Sequence, residues 1–206
     1  MHYLGVDLVE LIRTVGLLGL FFIVFAETGL FLGFFFPGDS LLFVAGLLAA
    51  QGLFPVPMLM LILLVAAITG NMTGYWFGKK VGPKLFERDD SLFFRKAHVR
   101  RAQSFYEKHG AKTIMLARFV PIVRTFGPIV AGIAEMNYRS FMLYNIFGAV
   151  IWTVGLTLGG YLFRNLITDV DRYLLPVILA IIIISFLPAV WHVWKERRIS
   201  EESVTS

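Results

Sequence analysis

The sequence predicts an all-α integral membrane protein with an inverted-repeat, transporter-like architecture: two re-entrant helical hairpins and about four transmembrane helices. Three observations lead there. The 206 residues are 57% hydrophobic and only 16% charged, with mean hydropathy +0.74, which is too apolar for a soluble domain. Two long apolar stretches are interrupted by Pro, Gly and charge where a simple span would not be. Short motifs also recur at a displacement of 86 residues: Val44-Ala45-Gly46 as Val130-Ala131-Gly132, and Gly74-Tyr75-x-Phe77 as Gly160-Tyr161-x-Phe163.

Taken in order, the chain reads as one membrane domain over 1–206. Leu8 to Ala26 is the weakest candidate span, because Glu10 and Arg13 sit in its first turns. Asp7 and Glu10 precede Arg13, so no basic leader of a secretory signal is expected. Repeat 1 covers about 8–79, with a first re-entrant hairpin at about 28–50 (TGLFLGFFFPGDSLLFVAGLLAA), broken at Pro37 and Gly38, and then a charge-free span at 54–78. A basic loop follows at 80–112, within which 93–109 has the pattern of an amphipathic helix lying on the inner leaflet, or of a solvated linker helix. Repeat 2 covers about 93–164, with a second hairpin at about 113–134 (TIMLARFVPIVRTFGPIVAGIA), broken at Pro121 and Pro128, and a charge-free span at 140–163. The last transmembrane helix is expected at 173–194, and a polar tail at 195–206. A span requires roughly 20 apolar residues, and broken backbone inside a bilayer survives only against protein or a watery cavity.

Charge sets the expected orientation. Residues 79 to 112 carry ten Lys or Arg against four acids, whereas 164 to 172 carry two and two. The long loop is therefore expected in the cytoplasm with both termini, and the short one outside. The first hairpin then opens outward and the second inward, which places a binding site near the midplane between the repeats. The net charge of +5 reads as topology and headgroup contact; no nucleic-acid partner is expected. With no cysteines, thiolate metal sites and disulfides drop out, and no cofactor or metal is expected.

Four ionisable residues interrupt the apolar stretches: Glu27, Asp39, Arg118 and Arg124. A charge at the bilayer centre costs ~2.5 to 3.5 kcal/mol on insertion scales, so such groups face the protein interior. Arginine offers a permanently charged planar fork suited to phosphate, while a carboxylate out of water can exchange protons. The expectation is that Arg118 and Arg124 hold an anionic headgroup and that Glu27 and Asp39 carry protons, with Thr125 and Asn71 as further hydrogen-bonding groups at the substrate. The competing reading is that the acids only neutralise the arginines, and that Asn71 and Thr73 only pack a helix. Trp76, Trp152, Trp191 and Trp194 read as interfacial anchors or packing residues.

The combined pattern Glu27-Thr-Gly, Phe36-Pro-Gly-Asp-Ser40, Gly-Asn-x-x-Gly-Tyr-Trp-Phe-Gly-Lys at 70 to 79, and Arg118-Phe-x-Pro-x-x-Arg-Thr125 with Ala-Gly at 131 and 132 resembles the DedA family, also called the VTT or SNARE-associated family. The resemblance spans roughly residues 20 to 165. It implies two re-entrant hairpins in a bacterial inner-membrane protein that supports envelope homeostasis. For several members it implies transport of undecaprenyl phosphate, and for eukaryotic relatives phospholipid scrambling. The family's essential acidic and arginine pairs match Glu27, Asp39, Arg118 and Arg124. The function expected is a flippase for an anionic lipid carrier coupled to protons.

Two alternatives stand beside it. One is a phospholipid scramblase without ion coupling. The other is a polyprenyl-pyrophosphate phosphatase, whose Pro-Gly-x-Ser segment Pro37-Gly38-Asp39-Ser40 resembles, although Leu41-Leu42-Phe43 replaces the Arg-Ser-Gly that should follow. His2, His98, His109 and His192 lie near chain ends or in the basic loop, and no nucleophile and base are paired in sequence, so no enzyme is expected.

Overall fold

A computed structural model describes residues 8–29, 38–86, 110 and 112–166, and the described secondary structure is entirely helical. Six helices follow one another: α1 Leu8–Gly29, α2 Gly38–Ala50, α3 Val56–Phe86, α4 Lys112–Ala117, α5 Pro121–Ile133 and α6 Tyr138–Leu166. The stretches Val9–Gly29, Val56–Gly82 and Tyr138–Arg164 are long and apolar enough to cross a membrane. The chain is thus an integral membrane protein in its build. α2 and α5, of 13 residues each, reach only about 20 Å at 1.5 Å per residue, short of the ~30 Å hydrocarbon core.

The weakest candidate span forms as one apolar element with a kink. Gly16 takes φ 60° and ψ −163°, a conformation that needs glycine, and Glu10 and Arg13 lie exposed on the N-terminal side of that kink. α1 continues through Thr28 and Gly29, residues expected in the first hairpin. Pro37 lies outside the described residues, and Gly38 is the first residue of α2. At its far end α3 extends to Phe86, past residue 80 where the basic loop was expected to begin. The expected amphipathic stretch 93–109, the last helix 173–194 and the tail lie outside the described residues.

The second broken stretch behaves as its prolines dictate, with one correction. After α4 the chain tightens into three successive turns, with the amides of Arg118, Phe119 and Val120 donating to the carbonyls of Met115, Leu116 and Ala117. Val120 is extended, as the residue before proline prefers, and Pro121 restarts the helix at its first position. Pro128, expected to break the hairpin, instead lies buried within α5, which continues to Ile133. There it removes only the one amide that would have bonded the Arg124 carbonyl. α5 then stops with Met136 N–H on the Ala131 carbonyl and Glu135 N–H on that of Gly132, Glu135 taking φ 54°. Asn137 Oδ1 accepts the Arg139 and Ser140 amides at 3.0 and 3.2 Å and so caps the start of α6.

Packing pairs each short helix with a long one: α5 lies along α3, α2 along α6, and α1 against α3. In a bilayer this association depends on close backbone contact, because lipid is as apolar as leucine. Hence the glycines: a Cβ at Gly46 would overlap the Thr157 carbonyl, and one at Gly132 the carbonyl of Tyr75. The main core joins Leu20, Val24, Leu42, Ala45, Leu63 and Ala149 from α1, α2, α3 and α6, and a second cluster gathers Tyr75, Ile114, Ala131 and Phe141. Leu18, Phe22, Leu61, Phe147 and Leu162 point outward, as a lipid-facing surface requires.

Candidate functional site

The fold brings all four ionisable residues into its interior. Glu27 sits near the end of α1, Asp39 in the first turn of α2, Arg118 in the turn after α4, and Arg124 in the first turns of α5. Glu27, Arg118 and Arg124 are buried, and the Asp39 side chain is 17% exposed. The break at 118–120 is what makes this possible. On one continuous helix two residues six apart point about 120° away from each other; the turn and the restart at Pro121 set both arginines against one aromatic ring. Their guanidinium carbons lie 5.9 Å (Arg118) and 4.7 Å (Arg124) from the centre of the Trp152 ring.

Their partners differ. Arg124 is bridged by two acids from two helices: Nη2 pairs with Glu27 Oε1, and Nη1 donates to Asp39 Oδ1 at 2.6 Å. The same Asp39 oxygen accepts Trp152 Nε1–H at 2.8 Å. Among the described residues Arg118 has no carboxylate partner. Its Nη2 instead donates to Asn145 Oδ1 at 2.6 Å and to the Ala67 carbonyl at 3.2 Å. Asn71 completes this side: in one amide orientation its nitrogen donates to Asn145 Oδ1 at 3.0 Å, and in the other its oxygen accepts from Arg118 Nη2 at 3.0 Å while its nitrogen donates to the Thr28 carbonyl at 3.3 Å. Arg118 Nε and Nη1, Arg124 Nε and Glu27 Oε2 are buried without a hydrogen-bond partner among the described residues. Unmade hydrogen bonds on buried charge are costly, and this cluster gathers four of them.

The cluster is formally neutral, two arginines against two acids, but asymmetric, because both acids hold one arginine. Gly38 is part of the reason. A Cβ there would overlap the Glu27 carboxylate, so the glycine serves as space for the acid at the head of α2. Thr125 is buried beside Arg124 on α5. Thr73 bonds the Thr69 carbonyl of its own helix at 2.9 Å, the packing role expected of it.

Two side chains of the cluster were not assigned to it from sequence. Asn145 is buried between Arg118, Asn71 and the Ile68 carbonyl. Trp152, read as an anchor or packing residue, is 3% exposed and hydrogen-bonded to Asp39. Both stand on α6, and Gly148 between them leaves room for the Arg118 side chain, whose Cδ would lie 2.9 Å from an added Cβ. A polar residue and a tryptophan seven apart in a charge-free span, one helical face two turns long, was the available signal. Trp76 does fit an interfacial position, half exposed with Lys79 Nζ 5.4 Å from its ring centre. Among the described residues no group of three His, Cys, Asp or Glu is placed to hold a metal.

Fold and site together define a helical integral membrane protein with a buried cluster of ionisable and polar side chains drawn from several helices. A family model described as the VTT domain matches residues 36–162. Protein DedA of Escherichia coli (strain K12) is 45% identical over 95% of this chain and 91% of its own length. Inner membrane protein YqjA of the same strain is 34% identical over 69% of this chain and 65% of its own. An uncharacterized membrane protein of Mycobacterium tuberculosis (strain ATCC 25618 / H37Rv) is 42% identical over 98% and 90%. No solved structure matches. The chain belongs to the DedA family of VTT-domain membrane proteins.

Proposed function

We propose that the protein is a flippase for an anionic lipid carrier, with undecaprenyl phosphate the first candidate, in the bacterial inner membrane, and that a proton gradient drives it. The observation that carries this reading is the unequal pairing of the two arginines. Arg118 keeps two donor groups unmade in a dry interior, beside an Arg124 that two carboxylates already hold. A phosphate seated between the guanidiniums gains charge-assisted bonds from Arg118, and it competes with Glu27 and Asp39 for Arg124. A proton on either acid cancels that acid's hold on Arg124, so proton uptake and anion uptake favour one another. This is the reciprocity that coupling requires.

The fold supports the transporter part of the reading. Gly74 lies against Pro128 and Ile129, at 3.4 Å from an added Cβ, and Gly160 lies against the Phe43 carbonyl. The two glycines are 86 residues apart, as are Phe43 and Ile129, so the short helix of each half packs on the long helix of the other, although the Ile129 carbonyl itself meets Gly78, one helical turn beyond Gly74. Exchange of this kind suits an inverted repeat with the site between its halves, and two helices too short to span suit re-entrant hairpins. The Lys79 and Lys80 end of α3 is proposed to face the cytoplasm.

Purified protein in proteoliposomes tests the reading against its rivals. Movement of a polyprenyl phosphate that follows an imposed pH gradient supports it. Movement that ignores the gradient indicates a scramblase, and release of inorganic phosphate from a polyprenyl pyrophosphate indicates an enzyme.

A further inference from the structure

We infer that Trp152 is the positioning residue of the anion site, holding the two arginines together when the acids release Arg124. The inference rests on the lipid-phosphate reading above and assigns a role that the four ionised residues do not cover. Its basis is the set of contacts converging on one side chain. The indole ring lies within 6 Å of both guanidinium carbons, and its N–H is spent on the Asp39 oxygen that also binds Arg124. Two like charges brought to one place repel each other, and an aromatic face offers attraction that carries no counter-charge. The carboxylates cannot do this work, because an incoming anion must displace at least one of them. An indole N–H, being a donor only, also fixes which Asp39 oxygen faces Arg124, and it stays a donor when a phosphate oxygen takes that place.

Trp152 also belongs to the main core, yet its polar contacts go beyond packing. It is 3% exposed, so it is no interfacial anchor, and the groups converging on it come from α2, from the turn after α4 and from α5. A packing residue alone needs neither a hydrogen bond to an acid nor two cations at its ring.

The test uses the full-length protein in detergent, with dodecyl phosphate as probe and calorimetry as the measure. Trp152→Phe keeps the ring and removes the N–H; Trp152→Leu removes the ring as well. Both variants should retain wild-type helicity and elution volume. Trp152→Phe is expected to weaken probe binding about tenfold, as for one charge-assisted hydrogen bond, and Trp152→Leu by roughly a further tenfold, since no aromatic face then remains for the two cations. A spectroscopic arm separates positioning from packing. With Trp76, Trp191 and Trp194 changed to Phe, the remaining indole should change its emission saturably, with the midpoint seen by calorimetry. Wild-type affinity in both folded variants, or an emission unmoved by bound probe, overturns the inference and leaves the lipid-phosphate reading standing. A wild-type protein that binds no alkyl phosphate contradicts both.

Discussion

Arg124 is held by Glu27 and Asp39 together, whereas Arg118, on the same indole, is held by neither. The two arginines therefore do different work, and substitution should separate them. Removing Arg124 leaves the buried Glu27 and the partly buried Asp39 carboxylates without their counter-ion, a loss on the order of 3–5 kcal/mol. Removing Arg118 strands no carboxylate, only the neutral oxygens of Asn145, Ala67 and Asn71, about 1–3 kcal/mol. Thermal melting in detergent should thus place Arg118→Ala above Arg124→Ala. Equal or inverted melting temperatures contradict the unequal pairing.

Gly38 tests the close approach at the head of α2. Gly38→Ala puts a methyl group where the Glu27 carboxylate lies, and should displace the acid from Arg124 and depress transport strongly. Glu27→Asp withdraws the carboxylate by one methylene. The double variant Gly38→Ala with Glu27→Asp should recover part of the activity that Gly38→Ala loses. A double variant no better than the worse single one would show that the glycine matters for another reason.

Much of this site was legible in sequence, because charge inside an apolar stretch is rare enough to notice. Glu27, Asp39, Arg118 and Arg124 were all marked by that rule alone, and Pro121 pointed to the break that lets the arginines meet. Pro128 misled, since helix can continue through a proline where tertiary packing holds it. Asn145 and Trp152 escaped because neither is charged; their importance arises from what α6 faces, which depends on long-range packing. The pairing of both acids with one arginine was likewise beyond composition and spacing. The length of α1 was obscured by Glu10 and Arg13, which lie on the exposed side of the kink at Gly16.

On the proposed reading the acids carry the coupling. In proteoliposomes Glu27→Gln and Asp39→Asn should each still insert, fold and bind lipid phosphate, while the response to a pH gradient falls at least tenfold in one or both. Gradient-driven transport at the wild-type rate in both amides would remove protons from the account. The charge swap Asp39→Arg with Arg124→Asp should not restore transport, because a swapped pair neutralises itself without presenting an arginine fork at position 124.

Orientation can be read from single cysteines at exposed positions. Gln51 lies in the turn between α2 and α3, and Arg139 in the first turn of α6, near the Tyr75 and Trp76 end of α3. In intact cells an impermeant thiol reagent should label a cysteine at 51 and spare one at 139. The opposite pattern would reverse the assignment made from the basic loop.

The central claim is that the arginine pair receives a lipid phosphate and does not exist merely to be neutralised. Binding of undecaprenyl phosphate to purified wild-type protein, to Arg118→Lys and to Arg118→Ala, each checked for helicity and melting, measures it directly. The account predicts tight binding by the wild type, weaker binding when lysine keeps the charge and loses the planar fork, and a loss of at least a hundredfold when alanine removes both. Undiminished binding in folded Arg118→Ala would contradict it.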